Sequence, residues 1–277
     1  MANPIQSQSH KTKLFKSLHE RPGCFVIPNA WNAGSAKILT AMGFEAIATT
    51  SGGLAFSLGL RDGTRDVTRE DNLANAKEIV SATALPVSCD FENGYSHSAA
   101  GLAQSIELAA ETGLAGASIE DATGTAGSPI YELKEATERV RAAVEAANKL
   151  PFPFLITARA ENFLHGRNDL KDTIKRLQHF EEAGAHVLFA PGLKSKEDIL
   201  TVLKEIHRPL NVIMGFAGAG LAVAELADMG VKRISVGSAL CRAAFGSFIQ
   251  AAREIKEKGT FQFAESTISY KEISNMF

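Results

Sequence analysis

The chain has 277 residues, 45% apolar and 22% charged, with a formal net charge of −2, the composition of a globular protein with a sizeable core. Its acids and bases are interspersed, so no basic field exists to attract nucleic acid, and no run approaches the roughly 18 apolar residues of a membrane span. Three scattered cysteines (Cys24, Cys89, Cys241) and an N-terminus without a charged and then apolar leader argue against a disulfide framework and a thiolate zinc site, and predict a cytoplasmic address.

In chain order, the sequence predicts a helix over 11–20, before the first strand. An amphipathic run, a glycine and a short apolar run then recur, most clearly at Gly43, Gly113, Gly184 and Gly230. A glycine in that place ends a helix, because the residue after the last turn commonly takes a left-handed conformation. The apolar runs read as strands buried on both faces of a parallel sheet. They fall at 24–29, 46–51, 86–92, 116–121, 154–161, 186–191, 210–216 and 233–237. A helical pattern follows nearly every one, as at 131–149, where Leu133, Ala136, Val140, Ala143 and Val144 share a face. Eight such units in one domain, 1–277, predict a (β/α)₈ TIM barrel, with a doubly wound open sheet as the alternative. The tail after Gly259 falls outside the repeat and reads as an appended helix against a neighbouring subunit or as a surface tail.

In both architectures the chemistry gathers at the C-terminal ends of the strands. There the sequence places Thr50-Ser51-Gly52-Gly53, Asp90-Phe91-Glu92, Glu120-Asp121 and Arg159-Ala160-Glu161, with Asp62 in the second loop. Asp90 and Glu92, two apart, are expected on one face of their strand, with Glu120 converging from the next. Clustered carboxylates repel unless a cation holds them, and an all-oxygen set suits a hard ion such as Mg²⁺. Arg159, in an apolar strand, needs a carboxylate partner, either Glu161 or Glu120 or an anionic substrate. Ser51-Gly52-Gly53 offers a hydroxyl and bare backbone N–H groups to an anion, and Trp31 is a candidate pocket wall. Weaker signals are His165 and two glycine-bearing loops, Gly215 to Gly220 and Gly237-Ser238, which suit either phosphate or tight packing.

At these residues the sequence resembles the isocitrate lyase/phosphoenolpyruvate mutase superfamily. The likeness is carried by Asn29-Ala-Trp31, the run Thr50 to Asp62, Ser88-Cys-Asp90-Phe-Glu92-Asn-Gly94-Tyr95, Ser118-Ile-Glu120-Asp121, Ile156-Thr-Ala-Arg159-Ala-Glu161 and Glu182 to Phe189. It implies a barrel with a swapped eighth helix, a homotetramer (a dimer of dimers), and one Mg²⁺ per site, with Mn²⁺ a permitted substitute. It also implies Asp90 as the direct metal ligand, Asp62, Glu92 and Glu120 holding metal-bound waters, Ser51, Gly52 and Gly53 on the substrate carboxylate, and Arg159 on an enolate. The loop Ala122-Thr-Gly-Thr-Ala-Gly-Ser128-Pro carries neither the Cys-bearing segment of the lyases nor the Lys and Asn or Thr of the mutases. Ala190-Pro191 likewise replaces the Glu or His expected at the sixth strand's end. The sequence therefore predicts a Mg²⁺-dependent lyase or decarboxylase cleaving a C–C bond of a small 2-oxo or 2-hydroxy dicarboxylate, with Glu120 and Arg159 catalytic. P–C bond chemistry of the mutase or phosphonopyruvate hydrolase kind, or a non-catalytic keto-acid binder, are the alternatives. Thr125, Ser128 and Tyr131 are candidate proton carriers.

Overall fold

The short apolar runs form eight strands, β1 (Phe25–Ile27), β2 (Ile47–Ala48), β3 (Val87–Asp90), β4 (Gly116–Glu120), β5 (Leu155–Arg159), β6 (Val187–Phe189), β7 (Leu210–Ile213) and β8 (Arg233–Ser235). The computed structural model describes residues 4–64 and 66–277, and side chains from residue 8 onward apart from residue 65. All seven ladders are parallel, in the order β1-β8-β7-β6-β5-β4-β3-β2. The remaining seam, β1 to β2, is bridged at Asn29 and Ala48, where Ala30 N–H donates to Ala48 O (2.7 Å) and Ala48 N–H to Pro28 O (2.9 Å). The sheet is thus a nearly closed (β/α)₈ barrel rather than an open doubly wound one.

Asn29 accounts for much of this closure at the mouth. Its Nδ2 donates to Thr49 O (2.6 Å), and its Oδ1 accepts from Val236 N–H (3.0 Å) and Gly237 N–H (2.9 Å). One buried amide therefore joins the ends of β1, β2 and β8, satisfying backbone groups that no ladder pairs. The Gly237 N–H is taken by this bond, which removes a donor that a phosphate in the eighth loop would need.

The helices are α1 (Pro4–Glu20), α2 (Ala33–Ala41), α3 (Ser51–Ser57), α4 (Arg69–Ala82), α5 (Ala99–Glu111), α6 (Leu133–Asn148), α7 (Leu170–Glu182), α8 (Lys196–Glu205), α9 (Val223–Met229), α10 (Ala239–Lys258) and α11 (Tyr270–Ser274). The four repeated glycines all end helices at positive φ: Gly43 at 83°, Gly113 at 94°, Gly184 at 95° and Gly230 at 96°. Buried faces such as Leu102, Ile106 and Ala109 of α5 and Val140, Ala143 and Val144 of α6 form the shell of the core. α10 differs: of its residues only Cys241 is buried, and Phe248 is 67% exposed. The tail beyond Gly259 forms a 3₁₀ turn and α11, and its last residue, Phe277, lies beside Gly34 at the start of α2. Among the described residues no helix is long and apolar enough to cross a membrane.

Two boundaries correct the sequence reading. Strand three stops at Asp90, and Glu92 sits in the turn beyond it at φ 46°, so strand alternation does not place Asp90 and Glu92 on one face. Strand two stops at Ala48, and Ser51-Gly52-Gly53 is the first turn of α3, capped by Thr50 Oγ1, which accepts from Gly53 N–H at 3.2 Å. Thr50 at this position satisfies a donor that the helix cannot.

Candidate active site

β5 ends on Arg159, whose side chain is 16% exposed and meets three acids. Its guanidinium stands 3.3 Å from Asp90 Oδ1 and 3.2 Å from Glu120 Oε2, and its Nε donates to Glu161 Oε1. The register explains the pairing, since Glu120 is directly opposite Arg159 on the neighbouring strand. Asp90 is held from its other side by Ser51: the Ser51 N–H (3.0 Å) and hydroxyl (2.9 Å) both donate to Asp90 Oδ2. The first turn of α3 thus already faces an anion, the carboxylate of Asp90, as the dipole of a helix start favours.

Gly52 and Gly53 are required by space. A Cβ on Gly52 would lie 2.8 Å from Asp62 Oδ2, and one on Gly53 would lie 2.6 Å from Thr50 Cγ2 and 2.9 Å from Trp31 Cβ. Asp62 therefore rests directly on Gly52. Glu92 accepts from Tyr95 Oη (3.3 Å), and Tyr95 Oη accepts from Asn72 Nδ2 (3.0 Å).

The charges of this cluster do not balance. Burial first, and then the nearby Asp90 charge, push the Asp62 carboxyl above its ordinary range. The same two causes, with Asp62 added, push Glu92 to about 7. Glu120 is also raised, by burial and against Arg159, with Glu161, Asp90 and Glu92 adding to the burial effect. Arg159 moves the other way: burial opposes its charge, but Glu161, Glu120 and Asp90 hold the proton more firmly than usual. Among the described residues, one guanidinium serves five carboxyl groups: Asp62, Asp90, Glu92, Glu120 and Glu161. Such an excess is relieved either by protonation or by a further cation.

The donors fit a hard divalent ion of one kind only. Among the described residues no three of His, Cys, Asp and Glu are grouped to enclose a metal by themselves. Mg²⁺ held by one or two carboxylates and several waters is a normal arrangement that needs no such grouping. The oxygen-only chemistry of Asp62, Asp90, Glu92 and Glu120, and their surplus negative charge, agree with that arrangement.

Two cavities meet at Arg159. The outer one, about 680 Å³, is lined by Asp62, Glu92, Glu120, His97 and His165 among others. The inner one, about 420 Å³, runs from Ser51, Gly52 and Asp90 down to Asn211 and Arg233. Of the residues expected to form the site, Ser51, Asp62, Asp90, Glu92, Glu120, Arg159 and Gly52 border one or both cavities, whereas Gly53 is packed behind Gly52. Trp31 does not line either: its place is a separate hollow of about 250 Å³ with Ala244, Phe245 and Phe248 of α10. Sequence spacing cannot tell that Trp31, one residue before the Asn32 cap of α2, turns toward α10.

The hydroxyls suggested as proton carriers are also displaced. Thr125 and Ser128 are exposed and border neither cavity, and Tyr131 is buried with its Oη 2.7 Å from His97 Nδ1. Two imidazoles border the outer cavity instead. His165 lies 3.9 Å from Glu161 Oε2, on the 3₁₀ turn Asn162–His165; His97, which follows Tyr95, carried no signal in the sequence. Asp121, adjacent to Glu120, is structural: its carboxylate accepts from Arg176 (3.0 Å) and from Glu161 N–H (2.8 Å).

Comparison with known proteins decides the family. The profile of the phosphoenolpyruvate phosphomutase family matches residues 15–256. The chain belongs to that family, within the isocitrate lyase/phosphoenolpyruvate mutase superfamily. Its fold superposes on that of a Burkholderia cenocepacia protein assigned provisionally as a lyase/mutase, with a TM-score of 0.95, 48% identity, and coverage of 98% of this chain and 96% of the other. A 2,3-dimethylmalate lyase superposes with a TM-score of 0.85 at 26% identity, covering 96% of this chain and 94% of that one. The 2-methylisocitrate lyase of Escherichia coli is 32% identical over 188 residues, 65% of this chain and 62% of the relative. Family members of this kind are carbon–carbon lyases, and this chain is an enzyme of their superfamily.

Proposed function

We propose that this chain is a Mg²⁺-dependent lyase or decarboxylase that cleaves a C–C bond of a small 2-oxo or 2-hydroxy dicarboxylate, with Mn²⁺ able to substitute. The observation that carries the reading is the excess of carboxyl groups around one guanidinium at the barrel mouth. Asp90 would be the direct ligand of the ion, and Asp62, Glu92 and Glu120 would accept hydrogen bonds from its waters. When bound, the ion would polarise the substrate carbonyl as a Lewis acid.

The rest is work for the chain's own groups. Gly52 N–H, and the Ser51 hydroxyl if it turns from Asp90, would offer donors to a substrate carboxylate. Arg159 is held in place by Asp90, Glu120 and Glu161, so its charge already faces the point where an enolate oxygen would develop, with little reorganisation required. As the C–C bond breaks, a 2-hydroxy substrate gives up its hydroxyl proton as that oxygen becomes a carbonyl; the electron pair of the bond moves into that enolate, whose carbon then takes a proton. His165, beside Glu161 and open to the outer cavity, is the group to which we assign that proton. The loop after β4 supports C–C over P–C chemistry, because residues 122–131 include no lysine or arginine to meet a phosphoryl group. The unburied apolar side chains of α10, Phe248 and Ile249 among them, support an exchange of this helix between copies in a homo-oligomer.

The test is a turnover screen with Mg²⁺ against oxaloacetate, methylisocitrate, dimethylmalate and phosphonopyruvate, with Asp90→Ala as the blank. C–C cleavage by the wild-type chain and none by the variant supports the reading. Equal turnover by both refutes it, and cleavage of phosphonopyruvate alone replaces it with P–C chemistry. Binding without any product would reassign the chain as a keto-acid binder.

A further inference from the structure

The interior of a (β/α)₈ barrel is ordinarily packed with branched apolar side chains. Below the mouth of this one the layer is polar, and at its centre is a buried cation that the reaction described above does not use. Arg233 opens β8 and is 4% exposed. Its Nε donates to Asn211 Oδ1 (2.9 Å), one terminal nitrogen donates to Thr157 Oγ1 (3.0 Å), and the other lies 3.4 Å from His19 Nε2. All three partners are uncharged, for burial and the Arg233 charge itself push the His19 imidazole down to about 3. Among the described residues Arg233 has no carboxylate within ion-pair distance, in contrast to Arg159 with three and Arg176 with two. Burial without an opposing charge lowers the Arg233 guanidinium to about 9.

A guanidinium offers five N–H groups in a fixed fork, so three neutral partners leave donors unused. Leaving a buried charge uncompensated is costly, and such a group is kept where something of opposite charge visits it. Arg233 borders the inner cavity, which extends upward to Ser51, Asp90 and Arg159 and also touches Lys194, another cation without an ion pair among the described residues. An anion can therefore reach it from the mouth.

We infer that Arg233 forms the floor of an inner subsite that takes a carboxylate group. Asn211 and Thr157 orient its fork, and the cavity above supplies the room. That carboxylate has two available sources, the far end of a dicarboxylate whose near end lies at Ser51 and Arg159, or a separate small acid. The first is sterically reasonable: Thr157, which meets the Arg233 fork, precedes Arg159 by two residues on β5, a rise of about 7 Å. A diacid with a chain of about four or five carbons matches that span once hydrogen-bond reach is added at each end. Only this dicarboxylate source rests on the proposed function; the subsite itself does not.

Titration calorimetry and thermal melting with acetate, succinate and glutarate, on the wild-type chain and on Arg233→Met, decide the matter. The wild-type chain is expected to bind and be stabilised, and the folded Met variant to lose at least about tenfold in affinity, a charge-assisted bidentate contact being removed. Protection by succinate or glutarate but not acetate identifies the far carboxylate as the source; equal protection by acetate identifies a separate acid. Absence of protection by all three in the wild type, or wild-type affinity in a folded Met variant, overturns the inference. Should Arg233→Met fail to fold, Arg233→Lys decides, since it keeps the charge without the fork: weaker binding upholds the subsite and unchanged binding overturns it. Binding is read without turnover, so a failure of the C–C cleavage screen leaves this result standing.

Discussion

Replacing Asn29 by leucine tests how the mouth of the barrel is held shut. The substitution keeps the branched shape and the number of heavy atoms, with bulkier methyl groups, but removes the donor to Thr49 O and the acceptor for the Val236 and Gly237 N–H groups. Asn29 is 5% exposed, so these three backbone groups lose their partner in a largely dry setting. Each unsatisfied buried group costs about 1–3 kcal/mol. Taking the low end, because water from the cavity can reach some of them, gives a loss of about 3–4 kcal/mol. For a chain of this length that lowers Tm by about 6–16 °C, at roughly 2–4 °C per kcal/mol. Differential scanning calorimetry of the two proteins measures it. A change within about 2 °C, smaller than a single lost bond would give, would refute the claim that this amide, beside the β1–β2 bridge, accounts for much of the closure.

Other perturbations follow from the same geometry. Gly53→Ala forces a Cβ against Thr50 and Trp31 and should cost about 1–3 kcal/mol by overpacking, read as a lower denaturant midpoint. His19 is pushed down to about 3, chiefly by burial and then by Arg233. Its neutral form belongs to the folded state, so its contribution is present above the unfolded value near 6.5 and is lost as pH falls from there toward 3, by at most about 1.4 kcal/mol per pH unit. The wild-type chain should therefore lose more stability than His19→Phe between pH 6.5 and 4.5, as measured by urea titration; parallel profiles would contradict this. Trp31→Phe, outside both cavities, should leave substrate KM within about twofold, whereas His165→Gln should depress kcat by about 10²-fold or more, as loss of a general acid does.

The barrel was legible because its signals are local and repeated. Helix-ending glycines at Gly43, Gly113, Gly184 and Gly230 and the consecutive apolar strands need no tertiary context to be read. Arg159 and its acids were legible for a related reason: an ionic group inside an apolar strand must have a partner, and the parallel register supplies Glu120. Glu92 was placed by an alternation that does not extend past Asp90, where the backbone turns left-handed. Ser51-Gly52-Gly53 reads in the sequence as the end of the strand predicted at 46–51, because the helix it starts is short and its cap, Thr50, lies inside that apolar run. Arg233 carried no signal at all. It starts a strand whose other residues are unremarkable, and only closure of the barrel brings Asn211, Thr157 and His19 around it.

The account rests on the carboxyl groups around Arg159 being there to hold a divalent ion, and direct binding tests this independently of turnover. Mn²⁺ titrated into the wild-type chain and into Asp90→Asn, with free ion followed by electron paramagnetic resonance, should give one site per chain in the first and a loss of at least about tenfold in affinity in the second. Equal occupancy in the two proteins, or none in either, would contradict the metal-dependent enzyme proposed here.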